Sequence, residues 1–162
     1  MTATAHALIG ASLAVKVANP AIGIPLAIIS HFIADLVPHW DAGTNHRQKS
    51  MMRVRFEATL DVLLGFALVV ILFRNFAQTN PVYLFSMVIA AQLPDWIEAP
   101  SWMFGFKVPP FSCMDWLGHR LQSRAQLPWG LVTQIVVVGL MLLFSVNFSV
   151  VGNALAALIP AS

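Results

Sequence analysis

Long apolar runs separated by short polar stretches dominate this chain, and several of the polar stretches contain proline. The five runs extend over about Thr4–Ala18, Ala21–Val37, Phe56–Phe73, Asn80–Leu93 and Trp129–Leu158. Such runs, unlike amphipathic stripes, are typical of membrane helices, and one crossing takes about 20 apolar residues. The third and fifth runs are long enough and the second is nearly so, whereas the first and fourth are short. We therefore expect about five apolar helices, the short ones being re-entrant or partly buried behind the others.

The composition strengthens this interpretation. Of the 162 residues, 58% are hydrophobic and only 10% are charged, and the mean hydropathy is +0.76. These values predict an all-α integral membrane bundle that forms a single domain over residues 1–162. A net charge of +2 and the lack of a basic stripe argue against binding to nucleic acid. The lone Cys113 excludes an intrachain disulfide and is expected to be a small buried side chain.

Two of the connections between the runs are basic, and this asymmetry predicts the orientation of the chain. The connection over 41–55 contains Arg47, Lys49, Arg53 and Arg55, and the connection over 99–128 contains Lys107, Arg120 and Arg124. The opposite connections contain only Lys16 and Arg74. Because Lys and Arg concentrate in the cytoplasmic loops of membrane proteins, both basic connections and the N-terminus are predicted to be cytoplasmic.

The 99–128 connection is also rich in tryptophan and phenylalanine, and proline bounds its most aromatic part at Pro100 and Pro128. Aromatic rings suit the headgroup region of a bilayer, so this cytoplasmic connection could lie on the membrane surface. It could equally cover the polar end of the bundle or dock another protein. The predicted partners are therefore the lipid bilayer and either a second membrane protein or another copy of the chain.

Four ionisable residues within eleven positions mark the most unusual segment of the sequence: His31, Asp35, His39 and Asp41. A spacing of four places His31 and Asp35 on one helix face, one turn apart. Imidazole and carboxylate groups are common ligands of zinc and similar divalent metals, and their burial without a metal or a partner would be costly. The segment is therefore either a metal site or a tightly paired polar cluster.

The predicted topology brings the other ionisable residues to the same end of the bundle. All seven acidic residues and four of the five histidines map to the cytoplasmic end, with His31 just beneath them. Glu57, Asp95 and Glu98 could be ordinary interfacial charges, but Asp61 lies deeper, between Leu60 and Val62. The convergence indicates metal-assisted hydrolysis, with arginine neutralising a phosphate. The expected metal ligands are His6, His31, Asp35, His39 and His119, and the expected catalytic residues are Asp41, Asp61 and Arg120.

Three short motifs carry a family resemblance: Thr4-Ala5-His6, the helix end Asp35-x-x-Pro38-His39-x-Asp41, and Gly118-His119-Arg120. Together they resemble the predicted membrane-bound metal-dependent hydrolases of bacteria, which are thought to be distantly similar to the α-helical zinc-dependent phospholipases. The resemblance implies an all-α fold in the inner membrane, with His6, Asp35, Asp41 and His119 as candidate ligands. In that family the late His-Arg pair is usually followed by a second histidine, whereas Leu121-Gln122-Ser123 follows here.

Three functional hypotheses result. The first is a membrane-bound hydrolase that uses a divalent metal, with zinc as the first candidate, to cleave a phosphorylated lipid at the cytoplasmic surface. The second is a non-catalytic membrane subunit or scaffold whose His and Asp residues are structural or bind a partner. The third, a small transporter of protons or metal ions, requires polar residues through the whole membrane depth, whereas the far halves of the third and fourth runs are apolar.

Overall fold

Six α-helices account for most of the chain that the structure, a computed structural model, describes: residues 1–45, 48–73 and 80–145. The helices are α1 (Ala3–Lys16), α2 (Pro20–Asp35), α3 (Met51–Phe73), α4 (Pro81–Phe104), α5 (Phe111–Leu121) and α6 (Trp129–Ser145). The described residues form no strand, so the predicted all-α class is confirmed. The part of the fifth apolar run that follows Ser145 lies outside the described residues, as do Arg47 and Arg74.

Side-chain caps explain where three of the helices begin. The side chain of Thr2 accepts a hydrogen bond from the backbone of Ala5 at the start of α1. Asn19 and Asn80 cap α2 and α4 in the same way, and each is followed by a proline in the first turn. The caps satisfy backbone N–H groups that have no partner inside the helix, while proline has no N–H to satisfy. The two Asn-Pro pairs thus set the starts of α2 and α4.

α1 lies at the centre of the bundle and packs against α2, α3, α4 and α6. Every residue from Ala5 to Ala14 is buried, although the first apolar run is short. Small side chains permit the close packing: a Cβ on Gly10 would lie 2.7 Å from the carbonyl oxygen of Met87 in α4. Only glycine fits at this crossing, because no neighbour there is a flexible side-chain end.

α4 continues past the position at which the sequence predicts its end. Pro94 was expected to terminate the fourth apolar run, yet the helix extends through Pro94 and Pro100 to Phe104. It ends where Gly105 adopts a left-handed conformation, with φ of 77°, that glycine accommodates without strain. Proline removes one backbone hydrogen bond but does not end every helix that packs on its neighbours. As a consequence, Asp95 and Glu98 lie on one continuous helix, one turn apart.

One helix of the described part, α3, has the length and composition needed to cross a membrane. It contains 23 residues, and only 17% of its most apolar stretch is buried within the protein. The core helix of a water-soluble protein would be buried, whereas α3 exposes Phe56, Leu63 and Ile71. α2 and α6 are apolar but shorter. Helix length therefore establishes one candidate crossing, and the predicted bundle of about five crossings is not confirmed.

The aromatic connection contains a helix of its own. α5 packs mainly against α4, and none of its residues is buried. Trp116 and the preceding Phe104 and Phe106 are exposed. Cys113, expected to be buried, is also exposed, because α5 lies on the outside of the bundle.

Candidate metal centre

Asp35, the last residue of α2, is the centre of a buried polar cluster. Its side chain is 3% exposed. Its Oδ1 atom lies 3.2 Å from His6 Nε2 and 3.7 Å from His39 Nε2, and its Oδ2 atom lies 3.5 Å from His31 Nε2. The amino group of Met1 also contacts Oδ1. α1, α2 and the segment after α2 therefore bring three imidazoles to one carboxylate.

Backbone hydrogen bonds orient two of the three rings. His31 Nδ1 lies 2.8 Å from the carbonyl oxygen of Ala91, and His39 Nδ1 lies 2.8 Å from that of Val37. A carbonyl oxygen only accepts, so Nδ1 carries the proton in both rings, and in a neutral ring Nε2 keeps a lone pair. Metal-bound histidines are usually held in this way, by donation from the other ring nitrogen.

The Nε2 lone pairs of these rings face carboxylate oxygens. His31 Nε2 also lies 3.5 Å from Asp95 Oδ1, and His39 Nε2 lies 3.6 Å from Asp41 Oδ2. These separations exceed the usual length of an N–H···O hydrogen bond, which is about 2.7–3.2 Å. They match the spacing between ligand atoms around a four-coordinate zinc ion, about 3.3–3.6 Å for bonds of 2.0–2.2 Å. The arrangement therefore fits a divalent metal better than a shared proton.

His6 is the member of the cluster whose polar atoms are least satisfied. The residue is 1% exposed, and neither of its ring nitrogens has a hydrogen-bond partner among the described residues. Its ring stacks on His31, with centroids 3.9 Å apart. His39 Nε2 is also buried without a hydrogen bond. Each such unsatisfied group costs roughly 1–3 kcal/mol, which a bound cation would offset.

A ligand-type side chain that the sequence analysis did not select, Asp95, joins this cluster. One ligand atom from each of His6, His31 and Asp95 lies within 4.8 Å of the others. Asp95 follows Pro94, and the expected helix end made it look like an interfacial cap. One sequence feature could have identified Asp95: Pro94-Asp95-Trp96 is similar to Pro38-His39-Trp40-Asp41, and each segment follows an apolar run.

A short backbone pairing fixes the last part of the site. His39 N donates to Ser123 O over 2.9 Å, and Ala125 N donates to His39 O over 2.7 Å. This pairing places Arg124 beside Asp41, with 3.1 Å between Nε and Oδ2. Burial by itself raises the pKa of Asp41, but the His39 ring and the Arg124 guanidinium lower it well below its usual range. Asp41 therefore stays ionised and holds Arg124 in place.

A cavity of about 290 Å³ borders the cluster. Its polar lining includes Asp41, Asp61, Asp95, Glu98, His119, Lys49 and Arg124. Its apolar lining includes Val54, Trp96 and Trp102. The site thus combines a carboxylate-rich wall, two cationic side chains and an apolar surface.

The structure brings together five of the residues that the sequence selected and places three elsewhere. His6, His31, Asp35, His39 and Asp41 form the buried cluster. Asp61 lines the cavity but accepts hydrogen bonds from the backbone of Ala3 (2.5 Å) and Thr4 (3.2 Å), so it caps α1. Arg120 lies over the ring of Trp116, and Arg124 contacts the cluster in its place. His119 lies on α5, where it is close to Asp115 of the same helix and to Glu98 of α4.

No protein-family model, curated protein or solved structure matches this chain. The resemblance to the membrane-bound hydrolases therefore stays a prediction.

Proposed function

We propose that this chain is a membrane-embedded, metal-dependent hydrolase that acts on a phosphorylated, lipid-like substrate at the membrane surface. The observation that carries the proposal is the set of buried imidazole nitrogens at His6 and His39. They lack hydrogen-bond partners and face carboxylates at ligand-like distances, next to a cavity.

The proposed membrane location rests on the apolar exterior. α3 is long and apolar enough to cross a bilayer, and α2 and α6 also expose apolar side chains. We place the polar end of the bundle at the cytoplasmic face of the inner membrane, with the N-terminus on that side. The basic residues of the 41–55 and 99–128 connections support this orientation.

The ligand set favours zinc. Imidazole is a good ligand for zinc, and His6, His31 and His39 supply three such groups around Asp35. When bound, a divalent metal supplies Lewis-acid chemistry and activates water at neutral pH. The Nδ1 hydrogen bonds to Ala91 and Val37 hold two of the ligands in a fixed tautomer.

The cavity indicates the class of substrate. Arg124 and Lys49 line it, and a guanidinium can hold a phosphate oxygen through charge-assisted hydrogen bonds. Asp41 keeps Arg124 at the edge of the cluster. Trp96, Trp102 and Val54 provide an apolar wall for an acyl or prenyl chain. An amphiphilic phosphate ester fits both parts of the cavity.

Elemental mass spectrometry of the detergent-purified protein tests the metal. We expect stoichiometric zinc in the wild-type protein and its loss in Asp35→Asn and His39→Ala. Glu57→Gln is the matched control, because Glu57 pairs with Lys49 and Arg53 outside the cluster. Hydrolysis of phosphorylated lipids in mixed micelles should require the metal. Protein that stays metal-free after reconstitution with zinc would overturn the proposal.

A non-catalytic membrane subunit is the second candidate, and a specific observation favours it. The Met1 amino group and Arg124 already pair with Asp35 and Asp41, so part of the buried negative charge is balanced without a metal. For this candidate, Asp35→Asn should lower the melting temperature without affecting any metal content. Parallel melting and metal measurements on the same variant separate the two functions.

A further inference from the structure

A second group of ligand-type side chains lies where α4 meets α5. Glu98 comes from α4, and Asp115 and His119 are one turn apart on α5. One ligand atom from each lies within 4.8 Å of the others. Two ligands bound to the same cation are at most about 4–5 Å apart, twice the usual metal–oxygen distance. The three side chains are therefore close enough to share a cation after small rotations.

Glu98 is the buried member of this group of three side chains. It is 8% exposed, it lines the cavity, and its carboxylate has no hydrogen bond or ion pair among the described residues. It lies against Gly118 of α5, where an added Cβ would be 2.3 Å from Oε2. Glycine at 118 thus leaves space for the Glu98 carboxylate, although Gly118 does not hydrogen-bond to it. A carboxylate in such a position keeps its charge only where a cation compensates it, and otherwise it takes up a proton.

The other two side chains retain atoms that can bind a cation. His119 Nδ1 donates to the carbonyl oxygen of Asp115 over 2.7 Å, so Nε2 keeps its lone pair in the neutral ring. Asp115 Oδ2 accepts from Ser101 over 2.9 Å and lies 3.4 Å from Lys107 Nζ. These contacts orient the Asp115 carboxylate from one side.

We propose that Glu98, Asp115 and His119 bind a second divalent cation beside the three imidazoles around Asp35. Two carboxylates and one imidazole make a harder donor set than three imidazoles, and such sites suit Mn²⁺ better than the zinc-type centre does. Asp95 and Glu98 are one turn apart on α4 and line the same cavity, so the two sites face a common substrate space. The role of the second cation in hydrolysis rests on the proposed function, but its binding can be measured separately.

Metal counting on the full-length purified protein tests this site. The protein is stripped with a chelator and titrated with MnCl₂, and bound Mn²⁺ is counted by electron paramagnetic resonance and elemental mass spectrometry. We expect two ions per chain in the wild-type protein and in the Glu57→Gln control. Glu98→Gln and His119→Ala should each retain one ion and weaken the other by about tenfold or more. The retained ion also shows that these variants fold.

Gly118→Ala provides a second variant in which all three ligands remain. Its Cβ displaces the Glu98 carboxylate, so it should lose the same ion, whereas Gly139→Ala, with open space around it, should keep both. A single ion that is lost in Asp35→Asn but kept in His119→Ala would overturn the second site alone. A single ion that is lost in His119→Ala but kept in Asp35→Asn would support the second site and overturn the proposed zinc centre. Protein that binds no ion would overturn both.

Discussion

Gly130 gives a quantitative test of how the site is held together. It lies near the start of α6, against the backbone that holds His39. A Cβ at this position would be 2.5 Å from Ala125 O and 2.7 Å from Trp40 N. Ordinary contacts with carbon are about 3.5 Å, so the neighbouring backbone would have to move by about 1 Å. Because the neighbours are backbone atoms, no side-chain rotation relieves the clash.

The expected cost follows from this displacement. Overpacking a closely packed position costs about 1–3 kcal/mol, and the hydrogen bond from Trp40 N to Gly130 O (3.1 Å) would be strained as well. Alanine regains up to about 1 kcal/mol over glycine in a helix. Gly139 lies on the same helix with no atom within 4 Å of an added Cβ, so Gly139→Ala measures that gain alone. The two variants should differ in unfolding free energy by about 1–3 kcal/mol.

Thermal unfolding in detergent measures this difference. For a chain of this size, 1–3 kcal/mol corresponds to roughly 2–12 °C in melting temperature. Gly130→Ala should melt lower than Gly139→Ala by that amount and retain less metal, because the displaced segment contains His39 and Asp41. Equal melting temperatures and equal metal content would refute the close approach of α6 to this segment.

Three further substitutions test separate contacts. Asp61→Ala should lower the free energy of unfolding by about 0.5–2 kcal/mol, because α1 loses its cap, and should leave the metal content unchanged. If Asp61 were catalytic instead, Asp61→Asn would keep full stability and lose hydrolysis. Tyr83→Phe removes the 2.5 Å hydrogen bond to Val17 O and should cost about 1 kcal/mol in thermal melts, and an unchanged melting temperature would contradict that bond. Arg124→Gln should raise the pKa of Asp41. Because that pKa is lower in the folded protein than in the unfolded chain, the ionised Asp41 stabilises the fold above about pH 4, and this stabilisation is lost as the pH falls further. Acid-unfolding curves of Arg124→Gln should therefore begin at higher pH than those of the wild-type protein, and coincident curves would exclude the ion pair.

The sequence was sufficient to predict the helices that begin with clear chemical signals. Asn19 and Asn80, each followed by proline, marked the starts of α2 and α4, and the polar residues around His31 marked the cluster. The prediction failed where tertiary packing overrode a local rule. Pro94 did not end α4, and for that reason Asp95 was not selected as part of the cluster.

Other parts of the site depend on contacts that are distant in the sequence. Arg124 reaches Asp41 only because the backbones of His39 and Ser123 pair, over more than eighty residues of intervening chain. Arg120 and Arg124 are equally basic in the sequence, and nothing local distinguishes them. The capping role of Asp61 is also invisible before α1 and α3 are packed together. Sequence patterns located the polar end of the bundle, whereas the choice among its residues required the tertiary structure.

The energetics of the cluster favour a binding role over a structural one. Replacing a buried ion-pair network by well-packed apolar side chains is often neutral or stabilising, so such a network is a weak way to hold a fold together. The network here is also incomplete, since His6 and His39 keep buried nitrogens without partners. At roughly 1–3 kcal/mol for each unsatisfied group, these nitrogens reduce the stability of the fold. α1 meanwhile packs through alanine and glycine, which hold the bundle together without the polar cluster. A purely structural cluster would satisfy these nitrogens, whereas a metal site needs them with their lone pairs free.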